Sequence, residues 1–280
     1  MISSQTRLTG LFGHPVAHSK SPQMHNAAFE SVGLDCRYLA FDVAPERLGE
    51  AVASIRALQM LGVNVTIPHK VEVIPYLDEL SEEARLIGAV NTIVLRDGRL
   101  IGYNTDGIGY ISALQEETGV TVSGKRVLML GAGGAARAVA AQMALQGASH
   151  LTFVAREAEK LAAHLAHLTQ TDGISFAQLQ ERGADFTAGY DLIVNATPVG
   201  MHPHVDAVPM PTEWLREGQL VSDLIYNPRI TRFLKEAAAR GCSVHGGLGM
   251  FIHQGAHSFE MWTGSKAPTD VMRQTVESYL

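Results

Sequence analysis

The chain has 280 residues, 46% of them hydrophobic and 18% charged, which suffices for one large domain or two modest ones and is too apolar for a disordered chain. Its formal net charge of −6 comes with no basic block, which disfavours a nucleic-acid or anionic-membrane partner. The two cysteines, Cys36 and Cys242, cannot build a disulfide framework. No run approaches a membrane span and no signal peptide is read, so a cytoplasmic protein is expected.

Arg7 to Phe12 reads as a first strand ending at Gly13-His14-Pro15. Ser21 is expected to cap a helix with Pro22 at its first position, running to about Val32 before Gly33. Tyr38 to Val43 reads as a second strand and Pro45 to Leu58 as a second helix. Gly62 to Ile67 reads as a third strand, with Val63, Val65 and Ile67 on one face and Asn64 and Thr66 on the other. Pro68 ends it, leaving His69 and Lys70 at its C-terminal mouth. Ser81-Glu82-Glu83 starts a helix, and Ala89 to Leu95, Asp97-Gly98 and Leu100 to Tyr103 form a hairpin. Thr105 to Glu117 then reads as a connecting helix.

Val127 to Leu130 is a short apolar run that suits a buried parallel strand. Gly131-Ala132-Gly133-Gly134-Ala135-Ala136 follows, then a helix from Arg137 to Gln146 and a second strand from Leu151 to Val154. This is the G-x-G-x-x-G/A turn of a dinucleotide-binding unit. Its first glycine permits a tight turn, its second lets backbone N–H groups approach a pyrophosphate, and its third small residue lets helix and strand pack closely. The helix N-terminus adds N–H donors and positive partial charge. Asp191 to Asn195, Leu220 to Ile225 and Ser243 to His245 read as further strands, Thr231 to Ala239 as a helix. Met250 to Trp262 and Thr269 to Tyr279 read as two closing helices.

Four polar clusters look odd for scaffolding: His18-Ser19-Lys20-Ser21-Pro22, Asn64-Val65-Thr66-Ile67-Pro68-His69-Lys70, Gly88-Ala89-Val90-Asn91-Thr92 and Asn104-Thr105-Asp106-Gly107. They fall at strand ends, where open α/β sheets bind ligands. Singly, each has a plain structural reading. Ser19 and Ser21 suit helix caps, Lys70 a solvated lysine, Asn104 and Asp106 turn formers. His14, His18 and His25 match no metal-ligand spacing, so no metal is expected.

Jointly the clusters resemble the shikimate dehydrogenase family, over essentially the whole chain. Gly13-His14-Pro15 with His18 to Pro22 and His25-Asn26 is similar to the family's opening motif, and Asn64 to Lys70 to its lysine motif. Gly88 to Thr92, Asn104 to Gly107, Asn195 to Met201, Asp223 to Pro228, and Gly247 to Met250 with Gln254 follow in the family's order. The resemblance implies an α/β protein with an N-terminal α/β substrate domain built on a mixed sheet (residues 1–105, completed by C-terminal helices 247–280). It also implies a Rossmann-like NADP-binding domain (106–246), with the active-site cleft between the two. It implies reversible NADPH-dependent reduction of 3-dehydroshikimate to shikimate, in the biosynthesis of chorismate and the aromatic amino acids.

By that likeness Ser19 and Ser21 hold the substrate carboxylate, which two hydroxyl donors suit. Thr66, Asn91, Asp106, Tyr226 and Gln254 bind ring hydroxyls or the carboxylate. Such an array discriminates well, because a substrate lacking a hydroxyl leaves polar groups unpaired. Lys70 and Asp106 are the catalytic pair. Hydride arriving at a carbonyl carbon builds negative charge on oxygen, and an ammonium supplies both stabilisation and a proton. A free lysine is a poor base for the reverse oxidation near neutral pH, so the proton is assigned to the pair.

Gly131, Ala132, Gly133, Gly134, Ala135, Ala155, Arg156, Glu157, Lys160, Ala196, Thr197, Leu224 and Gly247 are expected to line the cofactor, with Glu82 toward its nicotinamide end. An acid at the end of the second strand favours NAD, whereas arginine accommodates the 2′-phosphate of NADP. Arg156 and Lys160, four apart, are expected to clamp that phosphate from one side of a helix start. NADP-using members read Asn-Arg-Thr here, with a further basic residue four after the arginine. In this chain Ala155 and Glu157 replace the neutral donors, and Glu157 adds a negative charge. NADP is still favoured over NAD. The alternatives are a quinate/shikimate dehydrogenase with NAD preference, or a non-catalytic ligand-sensing regulator. The partner expected is the small-molecule substrate alone, bound by a monomer or homodimer.

Overall fold

The computed structural model describes residues 2–280. Its chain divides into two compact units, one running to Thr105 and resuming at Ile252–Leu280, the other spanning Asp106–Phe251.

The first unit begins with β1 (Arg7–Gly13), α1 (Ser21–Ser31), β2 (Cys36–Asp42), α2 (Leu48–Ala57) and β3 (Gly62–Val65). It continues through α3 (His69–Glu72), β4 (Glu79–Leu80), α4 (Glu82–Ile87), β5 (Thr92–Arg96) and β6 (Arg99–Tyr103). The strands form one mixed sheet in the order β2-β1-β3-β5-β6-β4. The first three strands run parallel, and β5 pairs antiparallel with β3. That reversal sets the start of β5 beside the end of β3, with Asn64 opposite Thr92. Phe12, Val63, Val65, Ile93 and Leu100 from the strands pack on Val52 and Ile55 of α2 to form the core.

The second unit carries α5 (Asp106–Thr118), β7 (Arg126–Leu130), α6 (Gly134–Leu145), β8 (His150–Val154), α7 (Ala158–Leu165) and β9 (Gln170–Ile174). After these come α8 (Phe176–Thr187, broken at Gly183), β10 (Leu192–Asn195), β11 (Leu220–Asp223), α9 (Arg232–Ala239) and β12 (Ser243–His245). Next is α10 (Gly247–Thr263), within which the unit boundary falls, and α11 (Thr269–Glu277) closes the first unit. The second sheet is wholly parallel, in the order β12-β11-β10-β7-β8-β9. Counted within the unit this is the doubly wound order 3-2-1-4-5-6, which opens a crevice where β7 and β10 diverge. The register pairs Leu130 with both Val154 and Asn195, and Asn195 with Asp223. Gly131, Ala155, Ala196 and Leu224 therefore each leave the sheet at one level.

Several local expectations shift. Ser21 is the first helical residue of α1 and Lys20 occupies its N-cap without a side-chain bond. Ser21 already lies inside the first turn, so it cannot be the residue that caps it. Pro45–Arg47 is a separate 3₁₀ turn before α2. β3 stops at Val65, and Ile67 is 75% exposed rather than on the buried face. Lys70 stands in α3, a one-turn helix that starts directly after Pro68. Ala89 to Asn91 lie outside β5, α6 starts at Gly134 rather than Arg137, and α10 starts at Gly247 rather than Met250.

Gly62 shows how closely the first unit is packed. A Cβ there would lie 2.0 Å from the Ile93 carbonyl oxygen and 2.4 Å from Trp262 Nε1, which are themselves joined by a 3.0 Å hydrogen bond. Gly62→Ala must part strand and helix. It should cost about 3 kcal/mol, the upper part of the usual overpacking range, read as a lowered chemical-denaturation midpoint. An unchanged midpoint would mean that this contact is soft.

Candidate active site

In the first unit the candidate residues meet at one end of the sheet. Gly13 closes β1 so tightly on the loop after β3 that a Cβ there would lie 2.4 Å from Thr66 Cγ2. The Thr66 amide donates to the Phe12 carbonyl at 2.9 Å, and the Thr66 carbonyl accepts from the His69 amide at 2.9 Å. His69 Nε2 is 2.7 Å from the Val43 carbonyl, so the buried ring anchors α3 beside β2. The Lys70 carbonyl accepts from the Val90 amide at 2.8 Å. Lys70 is thus held at its backbone by segments on either side.

A buried hydrogen-bond network lies beneath these loops. Asn64 Nδ2 is 3.1 Å from the Asn91 carbonyl oxygen, 3.1 Å from Thr92 Oγ1 and 2.9 Å from Ser258 Oγ. Its Oδ1 accepts from the Tyr38 hydroxyl at 2.9 Å. Asn91 Oδ1 accepts from the Thr105 amide at 2.8 Å, and Asn91 Nδ2 donates to Thr105 Oγ1 at 3.0 Å. Ser258 donates to the Gln254 carbonyl at 3.0 Å. The segments carrying Tyr38, Asn91 and Gln254 are joined in this way, and so is Thr105, the residue before Asp106. Ser19 and Ser21 are linked directly: the Ser21 amide donates to Ser19 Oγ at 3.3 Å, which leaves the Ser19 hydroxyl proton for an outside acceptor. Glu82 instead sits in the first turn of α4, where Ser81 caps the helix by accepting from the Ala84 amide.

In the second unit Gly131 has φ +112, and a Cβ there would lie 2.8 Å from the Ala196 carbonyl oxygen and 3.2 Å from Thr197 Cγ2. Only glycine lets this turn lie against the end of β10. At Gly133 and Gly134 an added Cβ would meet nothing within 4 Å, so open space faces the start of α6. That helix has no side-chain cap, and its first-turn N–H groups suit a pyrophosphate. Gly247 packs on Leu224, whose carbonyl oxygen would lie 2.2 Å from a Cβ there. Tyr226 stacks on Phe251 at 5.0 Å, and burial raises its phenol pKa.

Two adjoining pockets lie beyond the end of β8. One, of about 290 Å³, is lined by Ala155, Arg156, Glu157, Lys160, Ser175 and Gln178, among others. The second, of about 210 Å³, is lined by Ala132, Arg137, Glu157, Lys160, Leu161 and His164. Arg156 and Lys160 share the first pocket, but not as a pair on one helix, because α7 begins only at Ala158. Lys160 Nζ is 2.5 Å from Glu157 Oε1, and hydrogen bonding to Lys160 lowers the Glu157 pKa. Arg137 and His164 were not singled out from the sequence. The spacing held the signal: Arg137 lies one turn beyond the glycine turn and His164 one turn beyond Lys160.

Asp223, at the end of β11, is a second hub missed as such. It accepts from Asn195 Nδ2 at 3.1 Å, the Ile225 amide at 3.0 Å and the Thr231 hydroxyl at 2.8 Å. Asn195 Oδ1 in turn accepts from the Thr197 hydroxyl at 2.7 Å. The loops carrying Ala196, Thr197 and Leu224 are thus fixed by one carboxyl. Burial pushes its pKa up to about 6 despite the three donors.

Comparison with known proteins follows the same lines. Residues 11–93 match the family model "Shikimate dehydrogenase substrate binding domain" and residues 247–277 "Shikimate 5'-dehydrogenase C-terminal domain". The chain is 49% identical over 270 residues to a shikimate dehydrogenase (NADP(+)) of Geobacillus kaustophilus, covering 96% of this chain and 97% of the relative. A crystal structure of a shikimate dehydrogenase in complex with NADP+ superposes with a TM-score of 0.90 at 44% identity, covering 100% of this chain and 97% of the other. The Listeria monocytogenes shikimate 5-dehydrogenase, in complex with shikimate and NAD, gives 0.93 at 40% identity and 98% of both chains.

The raised Asp223 pKa makes stability depend on pH in a definite direction. Between the ordinary carboxyl value of 3.8 and about 6 the folded state binds more protons than the unfolded one, so the contribution is full below that window and lost as pH rises through it. The stability of the wild type relative to Asp223→Asn should therefore fall from pH 4 to pH 7, measured by denaturant unfolding at each pH. A constant or rising difference would mean that Asp223 is ionised throughout.

Proposed function

The chain belongs to the shikimate dehydrogenase family, and from that premise we propose that it catalyses the reversible, NADP-dependent interconversion of 3-dehydroshikimate and shikimate. The observation that carries this reading is the polar end of the first sheet. Ser19 and Ser21 are joined to one another there, the backbones of Thr66 and Lys70 are pinned by neighbouring segments, and the amide of Asn91 is held in the buried network. A carboxylated, polyhydroxylated ring needs such a set of groups.

The glycine turn and the pockets beside Arg156 and Lys160 would hold NADPH, which when bound would supply the hydride. The residues of this chain do the rest. Ser19 and Ser21 receive the carboxylate, while Thr66, Asn91, Tyr226 and Gln254 orient the ring hydroxyls so that carbon 3 is presented. As negative charge grows on the carbonyl oxygen, the Lys70 ammonium stabilises it and donates a proton. Asp106 is the other member of the pair, holding the ammonium and one substrate hydroxyl. In the reverse direction the pair takes the proton back. The remaining cofactor contacts are those named from the sequence, with Glu82 toward the nicotinamide. We place the enzyme in the cytoplasm, where its two buried, unpaired cysteines stay reduced.

The experiment that tests this reading follows the reduced-nicotinamide absorbance with shikimate or quinate and with NADP or NAD, in all four pairings. Shikimate with NADP should give the highest kcat/KM. Faster turnover with quinate and NAD would overturn the reading. Lys70→Ala should lower kcat about 10²- to 10⁴-fold, the usual weight of acid–base catalysis, with the shikimate KM changed much less. A near-normal single-turnover rate would remove Lys70 from proton transfer.

Glu157 sets a further expectation. Its carboxylate engages Lys160 and lines both adenosine pockets, so a 2′-phosphate must compete with it for that cation. Glu157→Gln should raise kcat/KM for NADP about fivefold, in line with one like charge removed at a solvated site, and leave kcat/KM for NAD nearly unchanged. Equal shifts with both cofactors would exclude a role for Glu157 in discrimination.

A further inference from the structure

Tyr38 has none of the marks of a ligand-binding residue. Its ring is fully buried in β2, stacked on His25 with centroids 4.4 Å apart and planes within 8°, and 6.0 Å from the ring of Trp262. Burial lowers the His25 pKa to about 3, so the stack is neutral. Asn26 fixes the Tyr38 backbone from α1. Its Oδ1 accepts from the Tyr38 amide at 2.9 Å and its Nδ2 donates to the Tyr38 carbonyl at 2.8 Å. A second bond from Nδ2 reaches the Pro22 carbonyl at 2.8 Å. The phenol is therefore a fixed point relative to the start of α1.

The direction of every proton around that phenol follows from one carbonyl. The Asn91 carbonyl can only accept, so the Asn64 nitrogen must face it at 3.1 Å. The Asn64 oxygen then faces Tyr38, and the single phenolic proton must be donated to it, at 2.9 Å. Burial drives the Tyr38 pKa far upward, so that proton stays in place. The chain of donation runs from Tyr38 to Asn64, and from the Asn64 nitrogen to Asn91 and Ser258.

We propose that Tyr38 is a positioning residue of the substrate site, its hydroxyl setting, through Asn64, the seating of Asn91. This rests on the reading that Asn91 touches the substrate. Removing the hydroxyl leaves the Asn64 oxygen buried and unpaired, which loosens the amide that holds the Asn91 carbonyl. The substrate side of the site then loosens, while the glycine turn and adenosine pockets, built from other segments, are unaffected.

Tyr38→Phe tests this because the ring and its stacking remain. The shikimate KM should rise about tenfold, the scale of one buried hydrogen bond lost, with a smaller fall in kcat and the NADP KM within about twofold of wild type. A purely structural role would lower the melting temperature and leave the shikimate KM unchanged, and that result overturns the proposal. Should Tyr38→Phe fail to fold, Ser258→Ala removes a partner of the Asn64 nitrogen at the far end of the network. It should raise the shikimate KM about threefold with the NADP KM constant, and an unchanged shikimate KM would equally overturn the proposal. Wild type measured alongside separates the two readings: if it does not turn over shikimate, the function assignment fails. If wild type is active and Tyr38→Phe matches its KM, only the positioning role fails.

Discussion

The first unit depends on the orientation of one buried carboxamide. Asn64 lies on β3 with its oxygen toward the Tyr38 hydroxyl and its nitrogen toward the Asn91 carbonyl and Ser258. Turning it over would set oxygen against the acceptor-only Asn91 carbonyl. A buried network of this kind is stable in one arrangement only, since each unmet polar group costs about 1–3 kcal/mol. The mixed sheet makes this possible: because β5 runs against β3, Asn64 faces Thr92 across the ladder and the turn before β5 lies over the end of β3. Segments distant in sequence thereby present hydroxyls, an amide and a lysine at one sheet end.

The second unit solves a different problem, with backbone rather than side chains. Its register brings four strands to one level, and residues just beyond that level form the candidate cofactor surface. Gly131 permits close contact with Ala196, and Gly133 and Gly134 leave open space at the uncapped start of α6. One carboxyl, Asp223, then fixes the loops after β10 and β11. Both units thus use a single buried polar residue, bonded on every side, to lock several loops at once. The two hubs differ in sensitivity to pH, because an amide does not titrate and a carboxyl does.

Much of this was legible in the sequence, for identifiable reasons. The glycine turn announces itself because close backbone approach allows few substitutes, and a buried parallel strand such as β7 shows in the sequence as the apolar run Val127 to Leu130. Short or polar elements were missed. β9 reads Gln-Thr-Asp-Gly-Ile at the sheet edge, α8 is interrupted by Gly183 at φ +60, and β4 has only two residues. The Ser21 cap was misplaced because a serine beside a proline looks the same whether it stands just before the helix or inside its first turn. Tyr38 was invisible as part of the network: an aromatic residue in a strand reads as core, and only the fold discloses that its hydroxyl meets Asn64. Arg137 and His164 needed the packing of α6 beside α7 before they could be seen to share a pocket.

The central claim is that this array of donors presents one particular carbon of the substrate ring for hydride exchange. The most direct measurement is an NMR determination of which carbon is oxidised when the enzyme converts shikimate with NADP in excess. The account predicts a single new ketone at carbon 3, with the other two ring carbinol carbons unchanged. A ketone at another carbon, or a mixture of positions, would contradict it.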